Sequence, residues 1–129
     1  MKKDIQTLED IKRLVDSFYA KVREDDLLKN IFNNVIQDNW PVHLEKMYRF
    51  WQTVLLHEPT YLGSPFAPHL KLPVNQKHFD RWLALFDQTL DENFSGEKAK
   101  EAKWRSSKMA QMFQYKIEYY QQNPSRKVI

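Results

Sequence analysis

Cysteine is absent from the 129 residues of this chain, and only two glycines occur. The first absence excludes disulfides and every metal site built on thiolates, and it suits a reducing cytoplasm. The second excludes a phosphate-cradling glycine loop and a Gly-x-Ser-x-Gly nucleophile elbow, which need glycines at fixed offsets. No apolar run reaches the ~20 residues that a membrane span needs. The start, Met1-Lys2-Lys3-Asp4-Ile5-Gln6, carries no signal-peptide core. The expectation is a soluble, cytoplasmic protein without a membrane partner. Charge of one sign does not dominate either. Twenty basic residues against 17 acidic leave a net +3, scattered rather than gathered in a stripe, which argues against nucleic acid.

What is present is apolar bulk. Hydrophobic residues make up 42% and aromatics 14%, enough to bury a core and line a pocket. The length suits a single domain over 1–129, with frayed ends at about 1–6 and 121–129. Thr7 reads as an N-cap, followed by Glu9 and Asp10 in the first turn and by Ile11, Leu14, Val15, Phe18, Tyr19 and Val22 at helical spacing. A short apolar piece over 27–32 should end in a turn at Asn33-Asn34. Pro41 opens a helix that should run to about His57, and Asn75 can cap a third with core face Phe79, Trp82, Leu83, Phe86 and Leu90. Ser95-Gly96 separates it from a last helix bearing Ala102, Met109, Met112, Phe113, Ile117 and Tyr120. Strand-like alternation is missing, so the fold class is all-α, with four substantial helices.

The chemistry concentrates on two of the four histidines. His43 shares a helical apolar stripe with Met47, Phe50, Trp51 and Val54, so an ionisable ring points where a core residue belongs. His69 follows the stiff stretch Pro65-Phe66-Ala67-Pro68, inside a connection over 58–73 too broken for a long helix, although one short turn around His69 is possible. Long irregular connections inside compact helical domains are often functional. The two rings could address two sides of one buried ligand, and an iron porphyrin fits best. Zinc is disfavoured, because no His-Glu-x-x-His element and no cysteine is present. A di-iron carboxylate site would need Glu-x-x-His repeats, which are missing.

Taken singly, these residues have ordinary readings. His57 at a helix end can complement the dipole, and His78 belongs near the surface of its first turn. Tyr19 and Trp82 can be core aromatics whose polar tips find partners. Together, Tyr19, His43 and Trp82 bring three hydrogen-bonding tips to the apolar faces of three helices. They either form a local network or surround something polar.

The chain resembles the truncated haemoglobins, specifically their third group. The resemblance runs from about Ile11 to Tyr120. It rests on Phe18-Tyr19 with Val22-Arg23, on Ile31-Phe32-Asn33-Asn34, and on His43 followed by Phe50-Trp51. It continues through Tyr61-x-Gly63-x-Pro65, His69-Leu70-x-Leu72-Pro73 and Phe79-x-x-Trp82-Leu83-x-Leu85-Phe86. The scarcity of glycine also fits this group. The resemblance implies a two-over-two helical sandwich around haem b. In it His69 is the proximal iron ligand, and Tyr19, His43, Met47 and Trp82 form the distal pocket. Lys46 would reach a haem propionate, while Phe50, Trp51, Tyr61, Phe66, Leu72, Phe79 and Phe86 would be apolar lining. A proximal imidazole leaves the sixth iron position open, and distal polarity then decides what happens to a gas there.

The implied function is binding of O₂, NO or CO by a small haem protein, without a dedicated catalytic residue. Strong retention by Tyr19 and Trp82 would argue against bulk oxygen transport. Nitric-oxide dioxygenation or peroxidase-like turnover is the enzymatic rival and would need an external reductase, since no flavin or nicotinamide motif is present. A cofactor-free helical interaction domain is the rival from another class.

Overall fold

The computed structural model describes residues 2–61, 63, 69 and 72–123. Among these, five α-helices follow one another: α1 (Leu8–Val22), α2 (Lys29–Ile36), α3 (Trp40–Leu56), α4 (Gln76–Asn93) and α5 (Glu97–Gln122). The sequence signals at three helix starts act as expected. Thr7 Oγ1 accepts from Asp10 N at 3.2 Å while the Asp10 carboxylate accepts from Thr7 N at 3.1 Å, a reciprocal cap on α1. Asn75 Oδ1 accepts from Lys77 N at 3.0 Å on α4, and Pro41 sits in the first turn of α3. His57 ends α3 in the left-handed region, at φ 59°, and Pro59 prevents the helix from resuming.

Two expectations about local structure are corrected. The helix α2 does not stop at Asn33-Asn34 but runs through them to Ile36, and the chain turns at Gln37 instead, at φ 53°. The reason is tertiary: Asn33 Oδ1 accepts from the indole Nε1 of Trp40 at 3.2 Å, so its side chain serves a neighbouring helix rather than a turn of its own. The second correction is the N-terminal segment, expected to fray. Ile5 is buried in the core, and Asp4 caps α5 by accepting from Lys98 N at 2.9 Å and Ala99 N at 3.0 Å. At the other end α5 extends to Gln122, beyond the expected start of the tail, while 124–129 lie outside the described residues.

Packing gives the two-over-two arrangement that the resemblance implies. The helix α1 packs on α3 and α4, and α4 packs on α5, with α3 touching α5. Phe18, Phe86, Ile11, Leu14, Leu55 and Leu90 are fully buried at the centre. Phe86 lies between two indoles, with its centroid 5.3 Å from Trp82 and 5.1 Å from Trp51. This three-ring stack ties α3 to α4 and fixes the Trp82 ring on the side where the helices part.

Candidate functional site

Where the helices part, they leave a cavity of about 630 Å³. That lies within the usual range for sites that enclose small molecules. Every long helix contributes to its walls: Tyr19 from α1, His43, Met47 and Phe50 from α3, Phe79 and Trp82 from α4, and Met109 and Phe113 from α5. The irregular connection adds Tyr61, Leu72 and His69. Val35, Asn39, Val42 and Lys46 line it as well and are exposed, so the cavity opens to solvent between α2 and α3.

His43 is held edge-on between two other rings, 5.1 Å from Tyr19 and 5.7 Å from Trp40 by centroids. Its Nε2 is buried, yet it has no hydrogen-bond partner among the described residues. A buried polar atom left unmatched costs free energy, so each one calls for an explanation, of which a bound group is one. Burial, then the charges of His69 and Lys46, hold its pKa down at about 4, so at neutral pH the ring is uncharged and one nitrogen can accept. His43 and His69 line the same cavity. Burial pushes the Tyr19 hydroxyl well above its ordinary range, so it remains a donor.

His69 occupies a short turn closed by Leu72 N donating to His69 O at 3.1 Å. Its ring lies 4.8 Å from Phe113 of α5. That aromatic contact limits how the imidazole can tilt. His78 uses its Nδ1 to accept from Asn75 N at 3.1 Å, completing the cap of α4, while its ring borders the cavity. His57 stands apart, its Nε2 3.4 Å from Lys98 Nζ on the exposed surface.

The sequence matches the bacterial-like globin family over residues 4–116. The chain belongs to that family, in the third group of truncated haemoglobins. This globin is 36% identical to the group 3 truncated hemoglobin of Campylobacter jejuni over 124 residues, covering 93% of the present chain and 98% of the relative. A crystal structure of the group III truncated hemoglobin from Campylobacter jejuni superposes with a TM-score of 0.83, over 91% of this chain and 95% of that one. Globins hold haem and bind diatomic gases at it. The residues present here fit such a group: an apolar cavity bordered by two imidazoles, one of them with a buried nitrogen that has no partner among the described residues.

The structure brings Tyr19, His43, Lys46, Met47, Phe50, Trp51, Tyr61, His69, Leu72, Phe79 and Trp82 to one cavity. Phe86 is the exception, standing one layer behind the wall as the support of Trp82 and Trp51. Phe66 lies outside the described residues. Three contributions had no place in the sequence reading of the site. The helix α2 supplies Phe32 and Ile36, α5 supplies Met109, Ala110 and Phe113, and Val42 forms part of the mouth. The α5 group carried a usable signal, since Met109, Phe113 and Ile117 repeat at one helical face.

Proposed function

We propose that the cavity holds haem b, with His69 as the proximal ligand and Tyr19, His43, Met47 and Trp82 on the distal side, and that the protein binds O₂ or another diatomic gas. When bound, the haem supplies an iron with an open position for the gas. Everything else is the work of the chain. The absence of cysteine excludes thioether attachment. The turn at His69 and the ring of Phe113 orient the imidazole. The un-ionised Tyr19 hydroxyl and the Trp82 indole are donors offered to a partly charged gas. Lys46, exposed at the mouth, is suited to a carboxylate of the porphyrin. No helix among the described residues is long and apolar enough to cross a membrane.

The observation that carries this reading is the unpartnered Nε2 of His43 inside an apolar cavity that His69 also borders. An absorption spectrum of the reduced protein, with and without carbon monoxide, tests it. The expected result is a histidine-ligated ferrous haem that shifts on adding carbon monoxide. His69→Ala should lose stable haem or retain it only with added imidazole. A normal histidine-ligated ferrous spectrum in His69→Ala overturns the assignment. His43 is read as a gate rather than a permanent ligand. Its replacement by alanine should alter gas entry while ferrous iron stays five-coordinate in both proteins. A low-spin ferrous wild type that becomes five-coordinate in His43→Ala decides against the gate.

A further inference from the structure

Among the described residues six large hydrophobic side chains are exposed, and two of them, Val35 and Val42, belong to the mouth of the cavity. The other four, Trp104, Met112, Tyr115 and Tyr119, all stand on α5. Their spacing of eight, three and four residues puts them on one face of that helix. The buried residues of α5, from Ala99 to Ile117, lie about half a turn away, so the stripe points from the domain into solvent. Tyr115 is 72% exposed and Trp104 57%. Large apolar side chains aligned in this way on a surface mark a contact. The stripe is partly ordered in advance: Glu101 accepts from Arg105 Nε at 3.4 Å, and the Arg105 guanidinium lies 5.6 Å from the Trp104 ring centroid. In its middle stands an exposed cation, Lys108. Lys98, Lys100, Lys103 and Arg105 of the same helix each meet a carboxylate. Lys108 has Trp104, Arg105, Gln111 and Met112 one turn away on either side, so its own helix offers it no acid.

We propose that a second copy of the chain docks on this stripe, two α5 helices packing antiparallel about a two-fold axis between Gln111 and Met112. A two-fold contact must be self-complementary, and this register is. Lys108 meets the partner's Tyr115 at both symmetry-related places, cation over ring, which gives the lone cation a counterpart. Trp104 meets the partner's Tyr119, so two rings pair at each end. Other arrangements fit worse. A parallel pair would set the two Lys108 ammonium groups face to face, and sliding the axis one turn towards Trp104 would do the same. Sliding it one turn the other way carries Trp104 past the end of the partner helix, which stops at Gln122. From Trp104 to Tyr119 the helix runs about 22 Å, and the exposed parts of the stripe cover roughly 600 Å² on each copy. A total of roughly 1,200 Å² stands at the low end for a specific interface, so the dimer should be concentration-dependent rather than permanent. Neither mouth valine belongs to α5, so pairing leaves Val35 and Val42 unused.

Sedimentation velocity of the purified full chain is the test. The weight-average coefficient should rise from the monomer value towards the dimer value across micromolar concentrations. Tyr115→Lys sets ammonium groups against each other and should weaken association by at least about tenfold. Adding Lys108→Glu to that variant makes both contacts attractive again and should recover the dimer. Both positions are exposed, so the circular dichroism of each variant should match that of the wild type. The register has a readout of its own, because the chain carries no cysteine. Under oxidant Gln111→Cys, beside the axis, should form a covalent dimer. Lys100→Cys should not, since its two copies lie about 34 Å apart in this register. A full chain that stays monomeric at every concentration overturns the proposal, whether residues 124–129 or another protein covers the stripe instead. A Tyr115→Lys variant that pairs as well as the wild type, a charge swap that recovers nothing, or equal cross-linking of the two cysteine variants overturns it too.

Discussion

Tyr19 is the residue on which most of the proposed distal chemistry converges. Its ring borders the cavity and contacts Phe18, Phe32, Trp40 and His43 edge-on. Those contacts fix where the hydroxyl sits, and burial keeps it protonated. A hydrogen bond to a partly charged acceptor is worth about 1.5–3 kcal/mol. Tyr19→Phe should therefore raise O₂ dissociation by roughly ten- to a hundredfold, because ~1.4 kcal/mol is a factor of ten. Stopped-flow O₂ release measures this, and an unchanged rate removes Tyr19 from the donor role. Trp82→Phe should act in the same direction. If both donors reach the same ligand, the double variant should depart from the sum of the single effects.

Among the elements, α5 shows what local sequence could and could not reveal. Its own N-cap position is Gly96, at φ 135°, which offers no side chain. The cap comes from Asp4, and a β-carbon added to Gly96 would lie 2.6 Å from the Asp4 Cγ. Burial pushes the Asp4 carboxyl up. The backbone hydrogen bonds of Lys98, Ile5 and Ala99, with the charge of Lys98, outweigh that and leave it below its ordinary value. A depressed carboxylate adds stability above its unfolded pKa and loses it as pH falls through the folded one. Asp4→Ala should cost about 0.5–2 kcal/mol at neutral pH, the range for a lost cap, and the gap from the wild type should close in acid. Urea titrations at neutral and acid pH measure both, and a gap that persists in acid contradicts the capping role. Gly96→Ala should destabilise at every pH. The caps of α1 and α4 were legible because Thr7 and Asn75 sit beside the helices they cap. The Asp4 cap was not, because donor and acceptor lie far apart along the chain and no periodicity links them. Asn33-Asn34 misled for a different reason: the Trp40 indole that occupies Asn33 is close in sequence but belongs to the next helix.

At the scale of the molecule, the all-α class was read from helical periodicity, the polar tips that interrupt it marked the candidate site, and the two-over-two arrangement with its site roles came from the resemblance. Tyr19, His43 and Trp82 stood out because each breaks an apolar face. Phe86 was misplaced by one layer, because a stripe identifies the buried side of a helix but not whether a ring touches the cavity or its neighbour. The mouth residues Val35 and Val42 escaped notice because exposed valines carry no local signal. The same polar tips make the haem-free protein pay for its function. Its cavity is stabilised by ligand mass action only when filled, and the His43 Nε2, without a partner among the described residues, costs about 1–3 kcal/mol wherever water does not reach it. Folding also holds the His43 ring near pKa 4, against an ordinary 6.5. Between those values the unfolded chain takes up a proton that the folded chain refuses, so stability should fall as pH drops through that window. His43→Leu removes the unmatched nitrogen and the titrating ring together. In the haem-free protein it should raise the urea midpoint at pH 7 and flatten the loss of stability from pH 6.5 towards 4 relative to the wild type. With haem bound, the same change should disturb gas entry. A haem-free His43→Leu protein no more stable than the wild type, with the same slope against pH, would show that His43 is satisfied within the fold and was never held in reserve for a ligand.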